Sequence, residues 1–135
     1  MSLLVDTSVW SLALRREPSS NAPPVKALLA ALDAGDPVFT TGLILQELLQ
    51  GFRGPKARDQ IVARFAALPA IVPDRNDHIA AADLRNTCRR RGVQVGTIDA
   101  LLAQLCIRHD LSMLTTDADF SRISKLTPLA VWPGS

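Results

Sequence analysis

Tyrosine is absent from this 135-residue chain, and four Phe and two Trp are the only aromatics. So few rings offer little surface on which bases could stack, and a nucleic-acid partner would have to be held through phosphate contacts and groove shape. Cysteine is almost as scarce. Cys88 and Cys106 fall within expected helices at a separation that matches no zinc motif, so buried reduced thiols are expected. His78 and His109 have no partners at ligand spacing, which disfavours zinc. They read as a surface residue at a helix start and a helix-end residue favoured by the dipole, with no catalytic role. No apolar run exceeds Ala27–Leu32, far short of the roughly 18 residues of a spanning helix. A first strand beginning at residue 3 leaves no room for a signal peptide. A soluble, cytoplasmic protein is therefore expected. Finally, fifteen Lys and Arg against thirteen Asp and Glu leave a net charge of only +2, which permits an anionic partner without requiring one.

What is present suffices for one core. At 47% hydrophobic, residues 1–135 are expected to form a single domain. The run Leu3–Val5 reads as a buried strand, after which Thr7 or Ser8 can cap a helix to about Arg16. "EPSSNAPP" has loop composition. Pro24 opens a helix that Gly35 closes. "PVFTT" is a second strand and "GLILQELLQGF" a helix, followed by another from about Pro55 to Ala67 and a short strand in "PAIV". A long helix runs from Asp77 to Arg91, and Thr97 caps the next, to about His109. "LSMLTTD" is a strand, "ADFSRISKL" a helical turn or two, and "LAVW" a last strand. This alternation argues for an α/β protein whose parallel sheet is covered on both faces.

Four carboxylates stand in positions that call for explanation. Asp6 directly follows a strand and is followed by the hydroxyls of Thr7 and Ser8, and Asp117 follows a strand that ends in hydroxyls, which delivers both acids to the carboxyl edge, where α/β sheets bind ligands. Taken alone, Asp, Ser and Thr after a strand are also ordinary helix caps. On "GLILQELLQGF", about 100° per residue groups Ile44, Leu45, Leu48, Leu49 and Phe52 into a core face with Glu47 at its border. The same construction puts Asp99 in the first turn of its helix, flanking the apolar face that carries Leu102 and Cys106. The helix dipole rewards an acid there but does not require the apolar neighbourhood. Four acids converging on one pit would repel each other unless a cation compensates. A hard divalent ion such as Mg²⁺ accepts oxygen ligands and keeps waters, one of which can become a nucleophile. Thr7, Ser8, Thr97 and Thr116 would then orient the carboxylates.

The segments "LLVDTSVW", "LILQELLQGF", "VGTIDALLAQLCIRHD" and "LTTDADF", in this order and spacing, resemble the PIN domain and within it the VapC-type toxin ribonucleases of toxin–antitoxin pairs. The resemblance implies a three-layer α/β/α sandwich with a mainly parallel sheet and a Mg²⁺- or Mn²⁺-dependent endoribonuclease. It also implies a homodimer and a cognate antitoxin that occupies a groove and blocks the site. The family's catalytic and metal-binding acids fall on Asp6, Glu47, Asp99 and Asp117, with Asp119 supporting or replacing one ligand. Arg15, Arg16, Arg53, Lys56 and Arg89 to Arg91 are candidates for holding the RNA backbone. The alternative is a catalytically silent relative that binds RNA or protein, against which the presence of all four acids counts. An aspartyl phosphatase would need an acid two residues after Asp6, where Ser8 stands, and a receiver domain would need paired acids there. A dinucleotide-binding fold would need a Gly-rich turn after the first strand.

Overall fold

Leu3, Leu4 and Val5 are completely buried and form the central strand β1 (Leu3–Val5) of the computed structural model, which describes residues 1–15 and 21–133. Five strands, β1, β2 (Val38–Thr41), β3 (Ala70–Ile71), β4 (Ser112–Leu114) and β5 (Ala130–Val131), form one sheet in the order β3-β2-β1-β4-β5. Every pairing is parallel, with Leu3 opposite Val38 on one side and Val5 opposite Leu114 on the other. Helices α1 (Thr7–Ala13), α2 (Pro23–Ala34), α3 (Gly42–Gly51) and α4 (Pro55–Ala66) carry the chain from β1 to β3. It returns past β1 through α5 (Arg75–Arg90) and α6 (Thr97–His109), and α7 (Ala118–Ser124) links β4 to β5. Because the strand order reverses at β1, right-handed crossovers put α1–α4 on one face and α5–α7 on the other, a three-layer α/β/α sandwich. The two sets pack among themselves accordingly, α1 on α2 and α3, and α6 on α5 and α7. The reversal opens a crevice between the carboxyl ends of β1 and β4.

Local chemistry explains most boundaries. Pro23 and Pro24 start α2, and Gly35 ends it in the left-handed conformation at φ 73°. Thr41 caps α3 by accepting from the Ile44 N–H. Three expectations need correction. The helix after β1 starts at Thr7 itself, so neither Thr7 nor Ser8 caps it, and it stops at Ala13. Lacking both a capping side chain and an acid in its first turn, it has little to extend it; Arg16 and part of "EPSSNAPP" lie outside the described residues. Thr97 is the first residue of α6, whose cap is Gly96. The long helix begins at Arg75, because Asp74 and Asp77 form a reciprocal capping box that fixes its start two residues before Asp77.

Both cysteines are free and buried, and burial pushes the Cys106 thiol up to about 12. Among the described residues, no helix is long and apolar enough to cross a membrane. Asp77, only 1% exposed, also accepts a short hydrogen bond from Arg108, which joins the start of α5 to the end of α6. Asp77→Ala removes both the cap and the partner of Arg108. It is expected to cost about 2–3 kcal/mol in denaturant unfolding, whereas Asp83→Ala on the exposed face should stay within about 0.5 kcal/mol.

Candidate functional site

Asp6 follows β1 directly, at the N-cap position of α1, yet its side chain makes no capping hydrogen bond. The carboxylate turns instead into the crevice, where its Oδ2 accepts from Ser8 Oγ at 2.7 Å and from Thr115 Oγ1 at 2.9 Å. Register explains the second partner. Val5 pairs with Leu114, so the next residues of the two strands, Asp6 and Thr115, are neighbours. Thr115 Oγ1 also accepts from the Asp117 N–H, and Ser8 Oγ accepts from the Thr116 N–H, which ties the two strand ends together.

Glu47, half-buried on α3, accepts a 3.4 Å hydrogen bond from Thr7. Burial and then the charge of Asp6 raise its pKa, against the lowering effect of the Thr7 hydroxyl. Asp117 caps α7 through its bond from the Asp119 N–H, so its carboxylate serves a structural purpose as well. Asp119 pairs with Arg122 one turn on. Asp99, in the first turn of α6, is pushed up to about 6 by burial first and then by Asp117, Asp6, Asp119 and Glu47. Asp6, Glu47, Asp117 and Asp119 therefore all lie within electrostatic reach of Asp99.

Two of the hydroxyls expected to orient them stand elsewhere. Thr116 is exposed and among the described residues its side chain bonds no carboxylate; strand register gives that place to Thr115, the other hydroxyl of the doublet, which was not among those expected. Thr97 precedes Asp99 by two helical residues, about 200° around the axis, and lines a cavity of about 400 Å³ with Arg85, Asn86 and Ile98. Of the candidate RNA-binding cations, Arg15, Arg53 and Lys56 share a cavity of about 430 Å³ at the ends of α1 and α3. Arg89, Arg90 and Arg91 are exposed where α5 turns towards α6, the same end of that helix pair as Asp99.

The PIN domain family matches residues 3–126. The chain belongs to that family. Ribonuclease VapC11 of Mycobacterium tuberculosis is 33% identical to it over 129 residues, covering 94% of this chain and 95% of that protein. VapBC2 of Rickettsia felis, solved with a DNA fragment from its promoter, contains a chain that superposes with a TM-score of 0.76 at 18% identity, over 97% of each chain. FitAB, bound to the IR36 DNA fragment, contains one with a TM-score of 0.73 at 22% identity, over 96% of this chain and 93% of that one.

This PIN domain suits a hard divalent cation by its donor set. One carboxylate oxygen from each of Asp99, Asp117 and Asp119 lies within 4.8 Å of the others, which brings oxygen donors together as such ions require. The burial and crowding of Asp99 should be measurable without metal. The folded protein holds the Asp99 proton more tightly than the unfolded chain does, so ionising Asp99 costs stability as pH rises from the ordinary 3.8 through about 6. The metal-free Asp99→Asn variant should therefore melt a few degrees above wild type at neutral pH. That advantage should shrink as pH falls through this window. Asp59→Asn, exposed on α4, should shift neither quantity. A lowered melting temperature for Asp99→Asn would make Asp99 a helix-start residue and nothing more.

Proposed function

We propose that this PIN domain is an endoribonuclease, the toxin of a toxin–antitoxin pair, which hydrolyses RNA phosphodiester bonds with Mg²⁺ or Mn²⁺. One observation carries this reading: the carboxylates of Asp6 after β1, Glu47 on α3 and Asp117 and Asp119 after β4 all act on Asp99 of α6 at the carboxyl edge of the sheet, and oxygens of Asp99, Asp117 and Asp119 lie within 4.8 Å of one another. Asp99, Asp117 and Asp119 would hold the ion, and Asp6 and Glu47 complete the acidic set. When bound, a hard divalent ion neutralises charge on the phosphoryl oxygens and polarises a water for in-line attack. The Ser8 and Thr115 hydroxyls keep the Asp6 carboxylate oriented, and Thr7 does the same for Glu47. Arg89 to Arg91, at the Asp99 end of α5, supply positive charge for the RNA backbone.

The relatives solved as VapBC and FitAB assemblies support an antitoxin partner. Leu29 and Leu32 on α2 and Val62 on α4 remain exposed, apolar surface of the kind that protein interfaces cover. We assign it to antitoxin binding and self-association, in a protein working in the cytoplasm.

The test is incubation of the purified protein with total tRNA and rRNA, with and without Mg²⁺, and mapping of the ends produced. Cleavage should require Mg²⁺ or Mn²⁺ and stop with EDTA. It should fall by orders of magnitude in Asp6→Asn and Asp99→Asn, and about 10–100-fold in Thr115→Val, which removes only an orienting hydroxyl. Full activity in EDTA would end the metal mechanism. In sedimentation the isolated protein should run as a dimer; a monomer at high micromolar concentration would remove the homodimer.

A further inference from the structure

Four of the five acids at the edge have side-chain or backbone hydrogen bonds that fix their carboxylates: Asp6, Glu47, Asp117 and Asp119. Asp99 has none among the described residues, so the backbone of α6 sets its place. That helix starts without a capping side chain, at Gly96. Among the described residues, one hydrogen bond reaches the segment 94–98 from outside α6. Arg85 Nε, on α5, donates to the Val95 carbonyl at 2.7 Å. The Val95 side chain is buried, and Asp99 is the third residue of the helix that starts two residues after it.

We propose that Arg85 is a positioning residue that anchors the start of α6 and so keeps Asp99 in the acidic cluster against repulsion from its carboxylate neighbours. Its functional consequence rests on the ribonuclease reading. The guanidinium acts through the backbone: burial and the four other carboxylates account for the altered proton affinity of Asp99, with no contribution from Arg85. A second tie between the same helices, Arg108 to Asp77 and Asp74, lies at the far end of α6. It provides the comparison, since it joins the same pair of helices without touching the site.

The experiment compares Arg85→Met, Arg85→Lys and Arg108→Met by two measurements. The first is amide hydrogen exchange over residues 95–102 in the metal-free protein, and the second is kcat and KM for RNA cleavage with Mg²⁺. Arg85→Met should speed exchange there about tenfold and lower kcat about tenfold or more with little change in KM, because misplacing a reacting group acts on the chemical step. Arg85→Lys, which still offers an N–H to the carbonyl, should recover part of both. Arg108→Met should lower Tm at least as much as Arg85→Met yet leave exchange at 95–102 and kcat at wild-type values. Unchanged exchange in Arg85→Met would overturn the proposal, as would loss of kcat in both variants in proportion to Tm. If Arg85→Met does not fold, Arg85→Lys decides by the same two measurements. If the wild type cleaves no RNA, the ribonuclease reading fails and the exchange result alone decides the anchor.

Discussion

Carboxylates drawn to one edge of a sheet repel one another, and whatever fixes their positions must work against that repulsion. Here the opposing force is the buried parallel sheet. Leu3, Leu4 and Val5 are wholly inside, as are Met113 and Leu114 on the neighbouring strand, so neither strand end can relax outward without uncovering core. Apolar burial is non-directional, but the ladder between β1 and β4 converts it into direction by fixing which residues end side by side. The cost appears at Asp99 and Glu47, whose pKa values burial raises first and the neighbouring carboxylates raise further.

Hydroxyls relieve part of this strain locally. Ser8 and Thr115 meet on one oxygen of Asp6, and through backbone N–H groups they also bind the start of the β4–α7 turn. A buried carboxylate that accepts two hydroxyl donors is partly compensated for its lost hydration. Its geometry is also set before any ligand arrives. The same side chains therefore join the two strand ends and aim the acid, which couples the local fold to the site.

The α5–α6 pair divides stability and function between its ends. At the far end, a buried Asp77 joins the capping box of α5 to Arg108 of α6. At the site end, α6 begins at a glycine, and among the described residues one hydrogen bond from outside the helix, that of Arg85, reaches the segment 94–98. That uncapped helix start carries Asp99, whose proton affinity burial and then the neighbouring carboxylates raise to a pKa of about 6.

Much of this was legible in residue order. Alternating apolar strands and amphipathic helices specify a parallel sheet covered on both faces, because a strand buried on both sides must be uniformly apolar and a helix covering it must not be. Asp6 and Asp117 could be assigned to the carboxyl edge because each follows such a strand, and Glu47 and Asp99 to the core border because helical period fixes their angle to the apolar face. What pairs across the sheet was not legible. Choosing Thr115 over Thr116 requires the register of β4 against β1, a contact between residues more than a hundred positions apart. Likewise Arg85 reads as one more cation on a helix until α5 folds back on α6 and meets the Val95 carbonyl. Periodicity decides which face a residue occupies, since that follows from local geometry; tertiary structure alone decides which partner it meets there.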